Sequence, residues 1–198
     1  MGFGYLGNLR TSNQMDKGGN LDDIIFQLGE AKPAFEKSHI PHEFFWSYIY
    51  ISSPLANLQN SINKSVPEYS LKSVFRYVNY ELIFDSISKR TGSMVDIDRN
   101  EASLIVPYLT VSTVFAISYA DLGWIGMIIT FFAMMLICIM YLVLLKSNNA
   151  FFATGLAILN TLILFSLFDN MISFTGLSFQ LLYPLLLSIR IKKTVSTV

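Results

Sequence analysis

Few side chains in this sequence are of a type that does chemistry, and those few are scattered. Asp121 stands at the entrance to a long uncharged run, just after Tyr119. A carboxylate at such a border is a candidate base by its place alone. It is equally suited to capping the helix that follows, where free amides and the positive helix end favour an acidic side chain. Arg76 sits among aromatics in LKSVFRYVNYELIF; its guanidinium reaches an anionic headgroup or snorkels to an interface. His39 and His42 bracket Ile40-Pro41, either as a base titrating near neutrality or as an exposed loop pair. Arg99 in DIDRNE reads as a surface ion pair, Asp169 as a hairpin residue, and the single Cys138 as a small hydrophobe or a lipid-facing or redox thiol. Arg10 follows the Gly-rich stretch FGYLGN and, taken alone, is a solvated loop charge. No phosphate-binding glycine loop, nucleophile elbow or zinc-binding helix signature is present. Two His and one Cys make no metal-ligand set, so neither metal nor cofactor is expected.

The elements that would carry these residues are set by an apolar composition. Of the 198 residues 53% are hydrophobic and 14% charged, against about 25% charged in soluble domains; the mean hydropathy is +0.48. Uncharged runs near 122–145, 151–168 and 171–189 are read as membrane spans. The fold class is therefore an all-α integral membrane protein, with about three transmembrane helices preceded by a long, largely helical extracytoplasmic segment. The boundary falls between 1–121 and 122–198. Within the first part, 1–37 has loop chemistry. Segment 43–62 is aromatic-rich and predicts an interfacial helix, a break at Pro54 and a second short helix; the alternative is the core of a small extramembrane domain. Over 71–90, Leu71, Val74, Phe75, Val78, Leu82, Ile83 and Ile87 follow helical spacing, predicting one amphipathic helix on protein or on a membrane, stopped by Gly92. Segment 103–120 holds Pro107 and several hydroxyls and reads as re-entrant or interface-buried. The first ten residues have no signal-peptide pattern and read as cut from the middle of a longer protein.

Charge fixes an expected orientation. Lys146 and the Arg-Ile-Lys-Lys run at 190–193 flank the apolar runs on one side, Asp169 on the other. Positive charge in short loops places Lys146 and the C-terminus in the cytoplasm, and long loops translocate largely regardless of charge. The expected location is a bacterial inner membrane, with lipid as a partner. No basic stripe suits nucleic acid, and none is expected.

FGYLGNLR at 3–10, YIYISSPLANLQ at 48–59 and above all YLTVSTVFAISYADLGWIG at 108–126 resemble the polymerases of bacterial O-antigen and related repeat-unit polysaccharides. Tyr108, Thr113, Tyr119, Asp121, Gly123 and Gly126 carry the last motif. The resemblance covers essentially the whole chain and implies the C-terminal portion of a larger protein. It implies a metal-independent inverting glycosyl transfer from undecaprenyl pyrophosphate to another lipid-linked repeat unit, with a chain-length regulator and a flippase as further partners. Such a reaction needs cations on the departing pyrophosphate and a base for the acceptor hydroxyl. With the resemblance in view, Arg10 and Asp121 are the candidates for catalysis and Tyr108 and Tyr119 for substrate binding, and Arg76 joins the latter from its place among the aromatics of 71–90. Arginine suits the anion because its planar fork grips phosphate in two places. The other readings are a non-catalytic membrane partner of such an assembly, or a ligase-like transferase with a different acceptor.

Overall fold

The structure, a computed structural model, describes residues 26, 29, 31–42, 44–107 and 109–195. Arg10, Tyr108 and nearly all of the loop expected before residue 31 lie outside them. Among the described residues every element is helical. After a single turn at Pro33–Glu36 come α1 (Phe44–Lys64), α2 (Leu71–Tyr77), a π turn (Val78–Leu82) and α3 (Asp85–Val95). Then follow α4 (Val114–Leu145), α5 (Phe152–Phe165), α6 (Thr175–Ser178), a 3-10 turn (Phe179–Leu181) and α7 (Leu182–Val195).

α4 is folded in two. Leu122 (φ −130°, ψ 16°) and Gly123 (φ 58°, ψ −144°) leave the helical region, and the second of these conformations is one that glycine adopts freely. A Cβ at Gly123 would press on the Tyr69 hydroxyl at 2.9 Å. The hydroxyls of Ser118 and Thr130 lie 2.8 Å apart, whereas a straight helix would separate them by about 18 Å. The limbs 114–121 and 124–145 therefore run side by side, so closely that a Cβ on Gly126 would collide with the Ser118 carbonyl.

Among the described residues α4 is the one helix long and apolar enough to cross a membrane. Its limb 124–145 alone is about 33 Å long at 1.5 Å per residue, against a hydrocarbon core of roughly 30 Å. Trp124, Ile128, Phe132, Ile139 and Val143 point outward and stay exposed. The inner side of its far end packs Tyr141 and Leu145 against Leu159 and Leu162 of α5 and Leu181 of the 3-10 turn. α5 is shorter than the run expected at 151–168. The run expected at 171–189 is helical from Thr175, in three consecutive pieces.

Four local expectations are corrected. Pro54 does not break α1, which continues to Lys64. Both halves of the helix are held from outside: Phe45, Trp46 and Ile49 pack on Phe26, Phe35 and Leu109, and Asn57 is tied to a neighbouring segment. The single helix expected over 71–90 is interrupted, because the π turn ends at Ile83, whose backbone is extended (φ −103°, ψ 147°). α3 restarts at Asp85 and runs through Gly92, ending at Asp96 in the left-handed region (φ 53°). There the Ile97 amide closes back onto the Gly92 carbonyl at 3.1 Å, a Schellman-type stop. Asp169-Asn170 is not a tight hairpin, for the chain stays non-helical until Thr175.

The stretch between α3 and α4 has no helix to satisfy its backbone, so side chains of α1 do so. The Asn57 amide donates to the carbonyls of Leu109 (2.6 Å) and Val111 (2.8 Å), and its oxygen accepts from the Ile105 amide (2.9 Å). Asn60 donates to the Ser103 carbonyl (2.9 Å), and Ser61 accepts from the Ser103 amide (3.0 Å). Buried peptide groups left unpaired would be costly. Asn57→Ala is expected to cost about 3 kcal/mol, near 1 per hydrogen bond lost, and Asn60→Ala about a third of that. Thermal unfolding in detergent micelles measures both; equal, negligible losses would show that α1 does not hold the segment.

Candidate functional site

At the end of the bundle where α4 folds back, two carboxylates are fully buried. Asp121 closes the limb 114–121 and has no exposed side-chain surface. Its Oδ1 accepts from Arg76 Nε at 2.5 Å and from the Asn100 amide at 3.3 Å. Its Oδ2 is buried and has no hydrogen-bond partner among the described residues. Both hydrogen bonds of Asp121 thus come from side chains and neither from an amide of the limb that follows, so it is not the cap considered above. The structure brings together two of the expected site residues, Arg76 and Asp121. The Tyr119 ring lies edge-on to Trp124, with centroids 5.8 Å apart. Arg10 and Tyr108 lie outside the described residues.

The second carboxylate is Glu81, inside the π turn, a kind of local widening that recurs at functional sites. The turn directs Asn79 and Glu81 inward behind Tyr77, all three buried. The Asn79 amide donates to the Ser88 carbonyl at 2.9 Å, and the Thr91 hydroxyl donates to Asn79 Oδ1, clasping α3 to the turn. Glu81 Oε1 accepts from Arg99 at 3.2 Å and Oε2 from the Asn170 amide at 2.9 Å. Asn170 also donates to the Glu81 carbonyl at 2.9 Å. Burial pushes the Glu81 carboxyl up to about 7, against the pull of Arg99 and Asn170. Nearby, the hydroxyl and amide of Thr175 hold the Asp85 carboxyl down, at about 2.

Arg99 makes the expected ion pair at the surface, and it has a second, buried partner as well. Its guanidinium is 37% exposed and bridges the wholly buried Glu81 to Asp169, 3.5 Å away and 53% exposed. Arg99 and Asp169 form the wall between two cavities. One, of about 540 Å³, is bounded by Asn100, Thr110, Ser112, Ile117 and Phe168. The other, of about 650 Å³, is bounded by Tyr80, Asp85, Lys89, Asp98 and Ser173. Both sizes suit small-molecule sites. Asp121 and Arg76 line neither cavity. Asn100 joins the two groups of residues, lining the smaller cavity while donating to Asp121. Of the histidines, His42 packs edge-on to Phe26 at 4.7 Å, far along the chain from these cavities. Among the described residues no three His, Cys, Asp or Glu side chains converge as metal ligands.

Sequence reasoning missed Glu81, Asn100 and Asn170. Their spacing carries no motif. The signal that was present is the polar side of 71–90, opposite the apolar stripe, where Ser73, Tyr77 and Glu81 repeat every four residues. Comparison with family models, with curated proteins and with solved structures gives no match to this chain.

The Glu81 environment generates a pH dependence. Between 4.5 and about 7 the folded protein keeps a proton that the unfolded chain has released, so stability falls as pH rises through that window. Asp85 acts on a separate window, contributing stability that is lost as pH drops below its ordinary range toward 2. Glu81→Gln removes the first titration. Its unfolding temperature is expected to decline less between pH 5 and 8 than that of the unaltered protein. An identical decline in both would show that Glu81 does not titrate in this range.

Proposed function

We propose that this chain is the membrane-embedded C-terminal portion of a repeat-unit polysaccharide polymerase. It transfers a glycan from undecaprenyl pyrophosphate to the sugar of a second lipid-linked oligosaccharide at the outer face of the inner membrane. The observation that supports this reading best is the Arg99–Asp169 wall. A half-exposed cation and an accessible carboxylate, 3.5 Å apart, stand between two cavities at one end of an apolar helix. The reaction breaks the bond from the anomeric carbon to phosphate oxygen and forms one to the acceptor oxygen. The hydroxyl proton goes to a carboxylate, and the pyrophosphate leaves with its polyprenyl chain. Arg99 is placed to carry the phosphate charge, and Asp169 to take the proton. Glu81 and Asn170 act as positioning residues that hold Arg99 and the Asp169 loop. Asp121 pairs with Arg76 and holds Asn100, which lines the smaller cavity. Arg10 and Tyr108, which the resemblance assigns to the site, belong to the same reading. So do the three-span topology and the cytoplasmic C-terminus.

The test is genetic and chemical together. The gene is removed from its host and restored with Arg99→Ala, Asp169→Ala, Arg10→Ala or Asp121→Ala, membrane levels being checked by immunoblot. The surface glycan ladder is expected to collapse to single repeat units in the deletion strain and in each variant present at normal level. Long polymer retained on undecaprenyl pyrophosphate would instead indicate the ligase-like transferase. A normal ladder in the deletion strain would exclude the polymerase reading. A normal ladder in every variant would leave the chain a non-catalytic partner.

A further inference from the structure

We infer that the outward stripe of α2 and its π turn, formed by Val74, Phe75, Val78 and Leu82, is immersed in the acyl chains of the bilayer leaflet nearest the fold-back of α4. The inference rests on the reading of limb 124–145 as a membrane span, and it decides for lipid where the sequence leaves both protein and membrane open.

The first reason is polarity turned inside out. Ser73, Tyr77, Asn79 and Glu81 are buried to 2% exposure or less, while the four apolar residues keep about 40% of their surface open. In water the opposite face would be buried, since each large apolar side chain taken from water stabilises by about 1.5–3 kcal/mol. An apolar surround removes that preference and favours polar groups that pair with one another inside.

The second reason is depth. The Tyr77 hydroxyl donates to the Gly126 carbonyl at 3.2 Å and lies 2.9 Å from Thr130 Oγ1. These partners stand about 3 and 9 Å along the limb from Trp124. α2 therefore crosses the limb within its first two turns, beside Trp124, Ile125, Ile128 and Ile129, all exposed. The stripe continues that apolar surface without a charged interruption. Arg76, on the same helix, turns inward to Asp121, and Lys72, in the first turn, stands where a long cationic stem reaches headgroups. On α1 the outward residues change from Phe44, Tyr48, Ile51 and Leu55 to Gln59 and Asn63, which marks the passage into water.

The test uses the full-length protein in phosphatidylcholine and phosphatidylglycerol vesicles, with Cys138→Ser and single cysteines Phe75→Cys, Val78→Cys or Leu82→Cys. Ile128→Cys and Leu136→Cys serve as span controls, and Gln59→Cys as a water control. Each carries a nitroxide whose collisions with oxygen and with a water-soluble nickel chelate are compared. At 75, 78 and 82 oxygen is expected to exceed nickel several-fold, as at 128 and 136, with the ratio reversed at 59. Nickel preference at the stripe while the span controls stay in lipid overturns the inference alone. Exclusion of both reagents there overturns it too and shows that polypeptide, not lipid, covers the stripe. Nickel preference at 128 and 136 overturns the membrane reading itself. Phe75→Trp, in a background with Trp46 and Trp124 changed to Phe, gives a cysteine-free reading: chain-brominated lipids are expected to quench it at least twofold, and no quenching overturns the inference.

Discussion

A carboxylate removed from water must be given a cation, and this fold is arranged around two that have been. Asp121 draws Arg76 from α2 and Asn100 from the segment after α3. Glu81 draws Arg99 from that same segment and Asn170 from the loop after α5. Between them the two carboxyl groups tie the fold-back of α4, the π turn, the non-helical connection and the loop after α5 into one unit. Such pairs contribute little net stability when formed, because desolvation offsets the Coulombic gain. Removing one partner costs about 3–5 kcal/mol by leaving the other charge buried and alone. Their contribution is to select one arrangement of elements whose outer surfaces have no preference of their own.

That absence of preference explains the distribution of polar groups. Serine, threonine and asparagine line the interfaces: Ser118 meets Thr130, Asn79 meets Thr91, and Asn57 holds three peptide groups. The large apolar side chains of limb 124–145 point away from the protein. Apolar burial still operates where α5 and the 3-10 turn meet the far end of α4. At the end that carries the cavities, hydrogen bonds do the joining.

Much of this architecture is legible in the sequence, and the parts that are not share a cause. The charge-free run after Asp121 gives the limb 124–145 almost to the residue, because absence of charge over that length has few other meanings. The apolar stripe from Leu71 to Leu82 is likewise legible as one helical face. What the stripe cannot state is its surround, and so the buried members, Tyr77 and Glu81, pass unnoticed. The π turn leaves no compositional mark, since it inserts a residue into the winding without a change in residue type. Pro54 misleads because its effect on a free helix is outweighed by packing on both sides of it. Arg99 shows only half of its pairing because its buried partner Glu81 lies eighteen positions away in sequence, across a helix whose end is set by Asp96 and not by glycine.

The fold-back of α4 also bears on how this chain tolerates change. Ser118 and Thr130 meet because the residues between them bring two helical faces together in one phase. An α-helix advances about 100° per residue. One residue inserted or deleted after Gly123 would turn the rest of the limb by that angle, carrying Thr130 away from Ser118 and Tyr77 and bringing an apolar neighbour to their hydroxyls. Outward positions such as Ile128 and Phe132 accept any large apolar side chain. The turn therefore makes chain length between 118 and 130 as strict an inheritance as the glycines at 123 and 126, and drift in this protein would run through substitution at the outward positions, never through insertion.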